Sequence, residues 1–151
     1  MKRSNLSYLT NEEIIKKFEL GYSPRIKNSL TNEAINKLYS KEFLLKSGLS
    51  IEVGKNEIID RFRERVMFPI HSFSGRILGF GGRALNPNAK AKYQNSPESI
   101  IYNKSKILYG IFFAKNAISK KDNCYIVEGY TDVISLNQKG VENVVSASGT
   151  A

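Results

Sequence analysis

The sequence has one cysteine, Cys124, and one histidine, His71, among its 151 residues. A lone cysteine excludes an intramolecular disulfide and a Cys-based zinc site within these residues. Cys124 falls in an apolar strand pattern and is expected to be a buried structural thiol. A lone histidine has no second imidazole with which to build a site, so His71 is expected to be an ordinary strand residue. Long hydrophobic runs are missing as well. None approaches the roughly 18 residues needed to span a bilayer, and the opening MKRSNLSYLTNEE has no signal-peptide apolar region. These absences predict a cytoplasmic protein with no membrane partner.

What is abundant is positive charge, and it is unevenly spread. The formal net charge is +9. Residues 1–54 carry nine Lys and Arg against six Asp and Glu, residues 55–106 carry ten against four, and residues 107–151 carry four of each. The cationic excess therefore lies in the middle third, among glycines and tyrosines. That pattern suits a polyanion, with a merely solvated basic face as the plain alternative.

The first third reads as helical. TNEE at Thr10–Glu13 has the form of a capping box, and Ile14, Ile15 and Phe18 follow on one helical face. GYSP, Gly21–Pro24, is expected to end that helix in a turn. A second helical pattern runs from about Thr31, with Ala34, Ile35 and Leu38 on one side, and a third covers Lys41–Lys46 and closes at Gly48. SIEVGKNEIID reads as a mobile loop.

The period then changes. In RFRERVMFPI, Arg61, Arg63 and Arg65 alternate with Phe62 and Glu64, which places three arginines on one side of an extended segment. VMFPIHSFSGRILGFGGR predicts a β-hairpin turning near Ser74–Gly75, with Pro69 at an edge or a strand end. Ala84–Ser105 reads as a long ordered loop of the kind that carries function. Ile107, Leu108, Ile111, Phe112 and Ile118 are expected on one helix face. CYIVEG, YTDVISLNQKG and VENVVSASG then predict strand, helix and strand, hence a parallel pair. Two parallel strands do not stand alone, so the chain reads as truncated in mid-fold.

Glu128 lies at the carboxyl end of the first of these strands, where α/β sheets keep their functional crevice. Gly129 permits a sharp turn and Asp132 falls in the first turn of the next helix, so both carboxylates can face one point. Such a pair suits Mg²⁺, which takes few carboxylates and keeps water or phosphate oxygens as its other ligands. The plain alternative is that Asp132 stabilises the helix start and Glu128 faces solvent. GFGGR, Gly79–Arg83, lacks the strand–GxGxxG–helix setting of a dinucleotide fingerprint. It reads instead as a bulge or close backbone approach, ending in an arginine that can meet phosphate. KAKYQNSPES mixes cations, a ring and amides as single-strand binders do, with Lys92, Tyr93, Asn95 and Lys104 the candidates.

Several of these strings, in order, resemble the catalytic core of bacterial DnaG-type primase. They are DRFRERVMFPI, GRILGFGGRAL, KYQNSPES, YNKSKILYG, VEGYTDVISL and SASGT, preceded by FELGYSPRIKNSL and LLKSGL. The resemblance spans nearly the whole chain. It implies an α+β fold, with a mixed α/β N-terminal subdomain containing a β-hairpin over 1–121. The first βαβ unit of a TOPRIM fold over 122–151 would follow. It implies a catalytic or metal-binding Glu128 with Asp132 beside it, and Mg²⁺ or Mn²⁺ as cofactor. Arg61, Arg63, Arg83, Lys92, Tyr93, Asn95 and Lys104 would line a cleft for single-stranded DNA template, RNA primer and ribonucleotides. Zinc would belong to a separate upstream module, a replicative helicase would bind a downstream region, and the remaining metal ligands would lie past Ala151. The fragment alone is then expected to be inactive. A non-catalytic single-strand-binding module, or another TOPRIM enzyme such as a nuclease or topoisomerase, are the rival readings.

Overall fold

A computed structural model describes residues 11–147 and has an α+β architecture. Helix α1 (Glu12–Lys17) is capped by Asn11, whose side chain accepts from the amide of Glu13 at 2.9 Å. Thr10, the expected cap, lies outside the described residues. Instead of ending in a simple turn, the chain leaves α1 as strand β1 (Gly21–Ser23), which pairs antiparallel with the later strand β4. Helices α2 (Ser29–Asn36) and α3 (Lys41–Lys46) follow. Gly48 closes α3 at φ +70, in the left-handed region that favours glycine. Thr31 and Ala34 are buried on α2, but Leu38 is 93% exposed. It lies past the C-cap Lys37 with φ +66, so it has left the helical face on which periodicity put it.

SIEVGKNEIID is not a loop. It forms a hairpin of β2 (Ser50–Val53) and β3 (Glu57–Asp60), turning through Gly54 and Asn56 at positive φ. Its last residue, Asp60, is buried, and its carboxylate accepts from the amides of Leu30 and Thr31, both at 2.8 Å. The hydroxyl of Thr31 donates to it as well, at 2.6 Å. A side chain from β3 thus satisfies amides at the start of α2, where no intrahelical acceptor exists.

The hairpin of β4 (Arg65–His71) and β5 (Ile77–Ala84) forms as expected, with a turn at Ser72–Gly75 and an irregularity between Ile70 and His71. The sheet order is β1-β4-β5-β6, with β6 (Tyr93–Asn95) inside the segment read as a loop. β1 covers only Arg65–Met67 of β4, so Pro69 lies where that side of the strand has no ladder partner. A proline, lacking an N–H, is tolerated there. After a 3-10 turn at Lys104–Lys106 come β7 (Leu108–Tyr109), α4 (Ile111–Lys121), β8 (Tyr125–Val127), α5 (Tyr130–Gln138) and β9 (Val144–Ala147). Leu108 is therefore on a strand rather than on the expected helix face. Gly110, at φ +85, separates it from α4. β8 and β9 are parallel, and β7 joins β9 antiparallel, in the order β7-β9-β8.

One aromatic core joins the two sheets. Phe18, Phe68, Tyr109 and Tyr130 are all buried in it, with ring centroids of Tyr109 and Tyr130 4.4 Å apart. Each such ring removes enough apolar surface from water to stabilise the fold by about 2–3 kcal/mol. His71 is a buried strand residue, as expected, with Nε2 2.9 Å from the Glu19 carboxylate. Cys124, expected to be buried, is exposed. β8 is the edge of its sheet among the described residues, and Tyr125 and Ile126 beside it are exposed too.

Candidate nucleic-acid interface and acidic corner

Strand register divides the expected basic residues between two faces of one sheet. Arg83 pairs with Tyr93 and Gly81 with Asn95 across β5 and β6, while Gly81 pairs with Phe68 across β4. Side chains in register share a face, so Arg83, Tyr93, Asn95 and Phe68 lie on one side. Arg65, Met67, Gly82 and Gln94 lie on the other.

On the first face, Arg83 is buried and its guanidinium carbon is 5.7 Å from the Tyr93 ring centroid. Its Nη1 is a buried donor with no protein partner. Such a donor suits an anion, because an unmet buried N–H is costly and a phosphate oxygen would satisfy it. Tyr93 is half-exposed, and Lys92, also exposed, precedes β6. Gly81 is bare because the ring of Tyr130 lies over it: a Cβ there would come within 2.3 Å of that ring. The Tyr130 hydroxyl donates to Asn95 Oδ1 at 3.2 Å. Tyr130 is the first residue of α5 and stands two residues after Glu128. The end of β8 is therefore attached directly to the Arg83–Tyr93–Asn95 face.

Glu128 is exposed in the bend between β8 and α5. Asp132 is exposed on the first turn of α5, and its Oδ2 accepts from the Gly129 amide at 3.2 Å. The structural role foreseen for Asp132, at the helix start, is thus observed. Both carboxylates are hard oxygen donors of the type magnesium or manganese takes. Among the described residues no group of three or more Asp, Glu, His or Cys is placed to hold a metal ion. The donors present fit a divalent ion in kind and would supply part of its shell. Burial pushes the Tyr109 hydroxyl, packed behind this corner, well above the ordinary tyrosine pKa, with Tyr130 adding to the shift.

The opposite face holds a cavity of about 320 Å³ lined by Arg25, Arg61, Arg63, Glu64, Arg65 and Gln94. The three arginines do meet, but not by strand alternation. Glu64 is in the left-handed region at φ +53, and β4 begins only at Arg65. Arg65 is fixed from behind, donating to the carbonyls of Gly82, Ala91 and Lys92 at 3.3, 2.9 and 3.4 Å. Partial burial lowers the pKa of Arg61 and Arg65 from the usual arginine value by desolvation. No arginine takes part in an ion pair among the described residues. Four guanidinium groups around one carboxylate leave a strong positive potential.

Lys104 lies away from both faces' ladders, in the 3-10 turn, where its amide donates to the Glu98 carboxylate at 3.1 Å. Sequence reasoning missed Arg25 and Gln94 as site residues. Arg25 follows Pro24 in what read as a turn, and Gln94 is carried to the opposite side from Tyr93 and Asn95 by the period of two.

The family model of the DNA primase catalytic core, N-terminal domain, matches residues 2–115. The DNA primase of Legionella pneumophila is 42% identical over 150 residues, covering 97% of this chain and 26% of the relative. The RNA polymerase domain of Mycobacterium tuberculosis primase DnaG superposes with a TM-score of 0.89 at 37% identity, over 97% of this chain and 48% of that one. A DnaG primase catalytic domain bound to single-stranded DNA superposes with a TM-score of 0.86 at 35% identity, over 97% and 47%. The chain thus spans about a quarter of the curated relative and about half of each solved core. It belongs to the DnaG-type primase family, as a member carrying the N-terminal domain of the primase catalytic core.

Proposed function

We propose that this chain is the template- and nucleotide-gripping part of a DNA primase, a DNA-directed RNA polymerase that joins ribonucleotides into short primers on single-stranded DNA. The observation that carries the proposal is the common face of Arg83, Tyr93 and Asn95, with the Glu128 corner fastened beside it. Cations for phosphate, a ring for an unstacked base and carboxylates for a metal are what such a reaction needs within reach. Arg83 and Lys92 bind phosphate, Tyr93 supports a base, and Arg61 and Arg63 hold a further stretch of strand from the arginine cavity. Lys104 adds charge at the edge. Glu128, with Asp132 assisting, would hold Mg²⁺ or Mn²⁺. A divalent ion held there would supply charge stabilisation for the oxygens that change bonding when a 3′-hydroxyl displaces pyrophosphate from an α-phosphate.

We further read residues 1–121 as the N-terminal subdomain and 122–151 as the opening of a TOPRIM unit. The parallel β8–α5–β9 unit supports that division, although β7 pairs across it. In this reading zinc belongs to a separate module and the helicase to another region. The protein would act in the cytoplasm, at the replication fork. No described helix is long and apolar enough to cross a membrane. The two-carboxylate corner also favours a binding-only role for these residues by themselves.

The test is Glu128→Gln in the complete primase chain that contains these residues. Primer synthesis should fall by about three orders of magnitude, as for loss of a principal charge-stabilising group. Single-strand affinity should stay within about twofold, since phosphate contacts dominate it. Equal loss of both would assign Glu128 to binding. Metal-dependent synthesis from residues 1–151 alone would overturn the view that the corner is incomplete.

A further inference from the structure

We infer that Tyr130 is a positioning residue, whose hydroxyl holds the Glu128–Asp132 corner in fixed register with the basic sheet. The inference rests on the proposed function and goes beyond it, because Tyr130 touches neither substrate nor metal in that reading. It acts through the corner's backbone. Three contacts define its place. The ring fills the space left by Gly81, where an added Cβ would meet it at 2.3 Å. It packs on Phe68 and Tyr109 with centroids 5.8 and 4.4 Å away. The hydroxyl reaches Asn95 on β6 at 3.2 Å.

The ring contacts are apolar and account for burial of the side chain. They do not account for the hydroxyl. A phenylalanine would fill the same space and would not have to satisfy a polar group. The hydroxyl's bond instead adds a directional link to Asn95 on β6 that apolar packing does not supply. Tyr130 opens α5, and Gly129 and Glu128 immediately precede it, so movement of the ring is carried straight into the corner. The Asp132–Gly129 bond ties the corner to α5, and the Tyr130–Asn95 bond reaches from that helix to the sheet. Supporting contacts of this kind act on metal affinity without touching the metal.

The experiment uses Tyr130→Phe in the complete primase chain, with Gly81→Ala as a second variant that displaces the ring and removes no polar group. Three quantities are read: amide hydrogen exchange at residues 128–133, the Mg²⁺ concentration giving half-maximal primer synthesis, and single-strand Kd. Tyr130→Phe should quicken exchange at these amides by about fivefold or more. It should raise the half-saturating Mg²⁺ about tenfold, and leave Kd within about twofold. Gly81→Ala should reproduce the shift in Mg²⁺ demand. Unchanged exchange would overturn the tether. Quickened exchange with unchanged Mg²⁺ demand would overturn the positioning role, as would a Kd that weakens in step. An inactive wild-type protein with quickened exchange in the variant would sink the proposed function and leave the tether standing.

Discussion

The two faces of the β1-β4-β5-β6 sheet treat arginine in opposite ways. On the face beneath Tyr130, Arg83 stands singly, buried against one aromatic ring and one residue row from Asn95. On the other, four arginines share a cavity with one glutamate. A single guanidinium beside a ring is a placed contact, suited to fixing one phosphate and one base. A cluster creates a potential, which draws and holds a charged strand over a longer path. The difference teaches that cationic residues close in sequence need not do the same work. In the proposed function Arg83 would act beside the acidic corner, and Arg61, Arg63 and Arg65 would hold the strand at a distance from it.

The division can be broken most severely at Asp60, which holds the start of α2 against the hairpin next to the arginine cavity. Asp60→Ala would leave two amides and the Thr31 hydroxyl without their acceptor and cost about 3 kcal/mol. Chemical denaturation would measure it, and a loss under about 1 kcal/mol would mean water replaces the carboxylate easily. A smaller effect is expected from the paired change Arg25→Ala and Arg63→Ala. Single-strand affinity should fall about tenfold at low salt, with the maximal rate of primer synthesis at saturating template unchanged. A fall in that rate would erase the distinction between grip and chemistry. The smallest is Lys92→Ala. It should reduce the salt slope of single-strand binding by about 0.7 for one lost phosphate contact. Fluorescence titration across salt concentrations would read both binding effects.

Much of this arrangement was legible where order is local. The β4–β5 hairpin announced itself through apolar runs on either side of Ser72–Gly75, and β8–α5–β9 through short apolar strands around an amphipathic helix. Glu128 and Asp132 stood out by their place at a strand end and helix start, the basic residues by composition and spacing, and the family resemblance then grouped them into one expected cleft. The β2–β3 hairpin was hidden because exposed charges, Glu52, Lys55 and Glu57, interrupt its β-branched positions and made it read as a loop. The burial of Cys124 was misjudged for a different reason: an apolar strand looks alike at the centre and the edge of a sheet. Arg61, Arg63 and Arg65 do share one cavity, but not through the alternation that grouped them, which the left-handed Glu64 breaks. Least visible was the bond from Tyr130 to Asn95, because it spans 35 residues and depends on a third position, Gly81, having no side chain.

That last dependence extends along β5. Gly79 is pressed by Tyr102 and Ser96, Gly81 by Tyr130, and Gly82 by Phe62 and Arg65. The strand contributes by what it omits, giving its space to side chains rooted elsewhere. One base change turns a glycine codon into an alanine codon. The added methyl group would come within 2.3 Å of the Tyr130 ring at Gly81 and 2.9 Å of the Phe62 ring at Gly82, while at Gly79 it would crowd Ser96 and Tyr102 at 3.1 and 3.2 Å. This short run is therefore a vulnerable stretch of the gene, in which even the mildest amino-acid replacement crowds a neighbour.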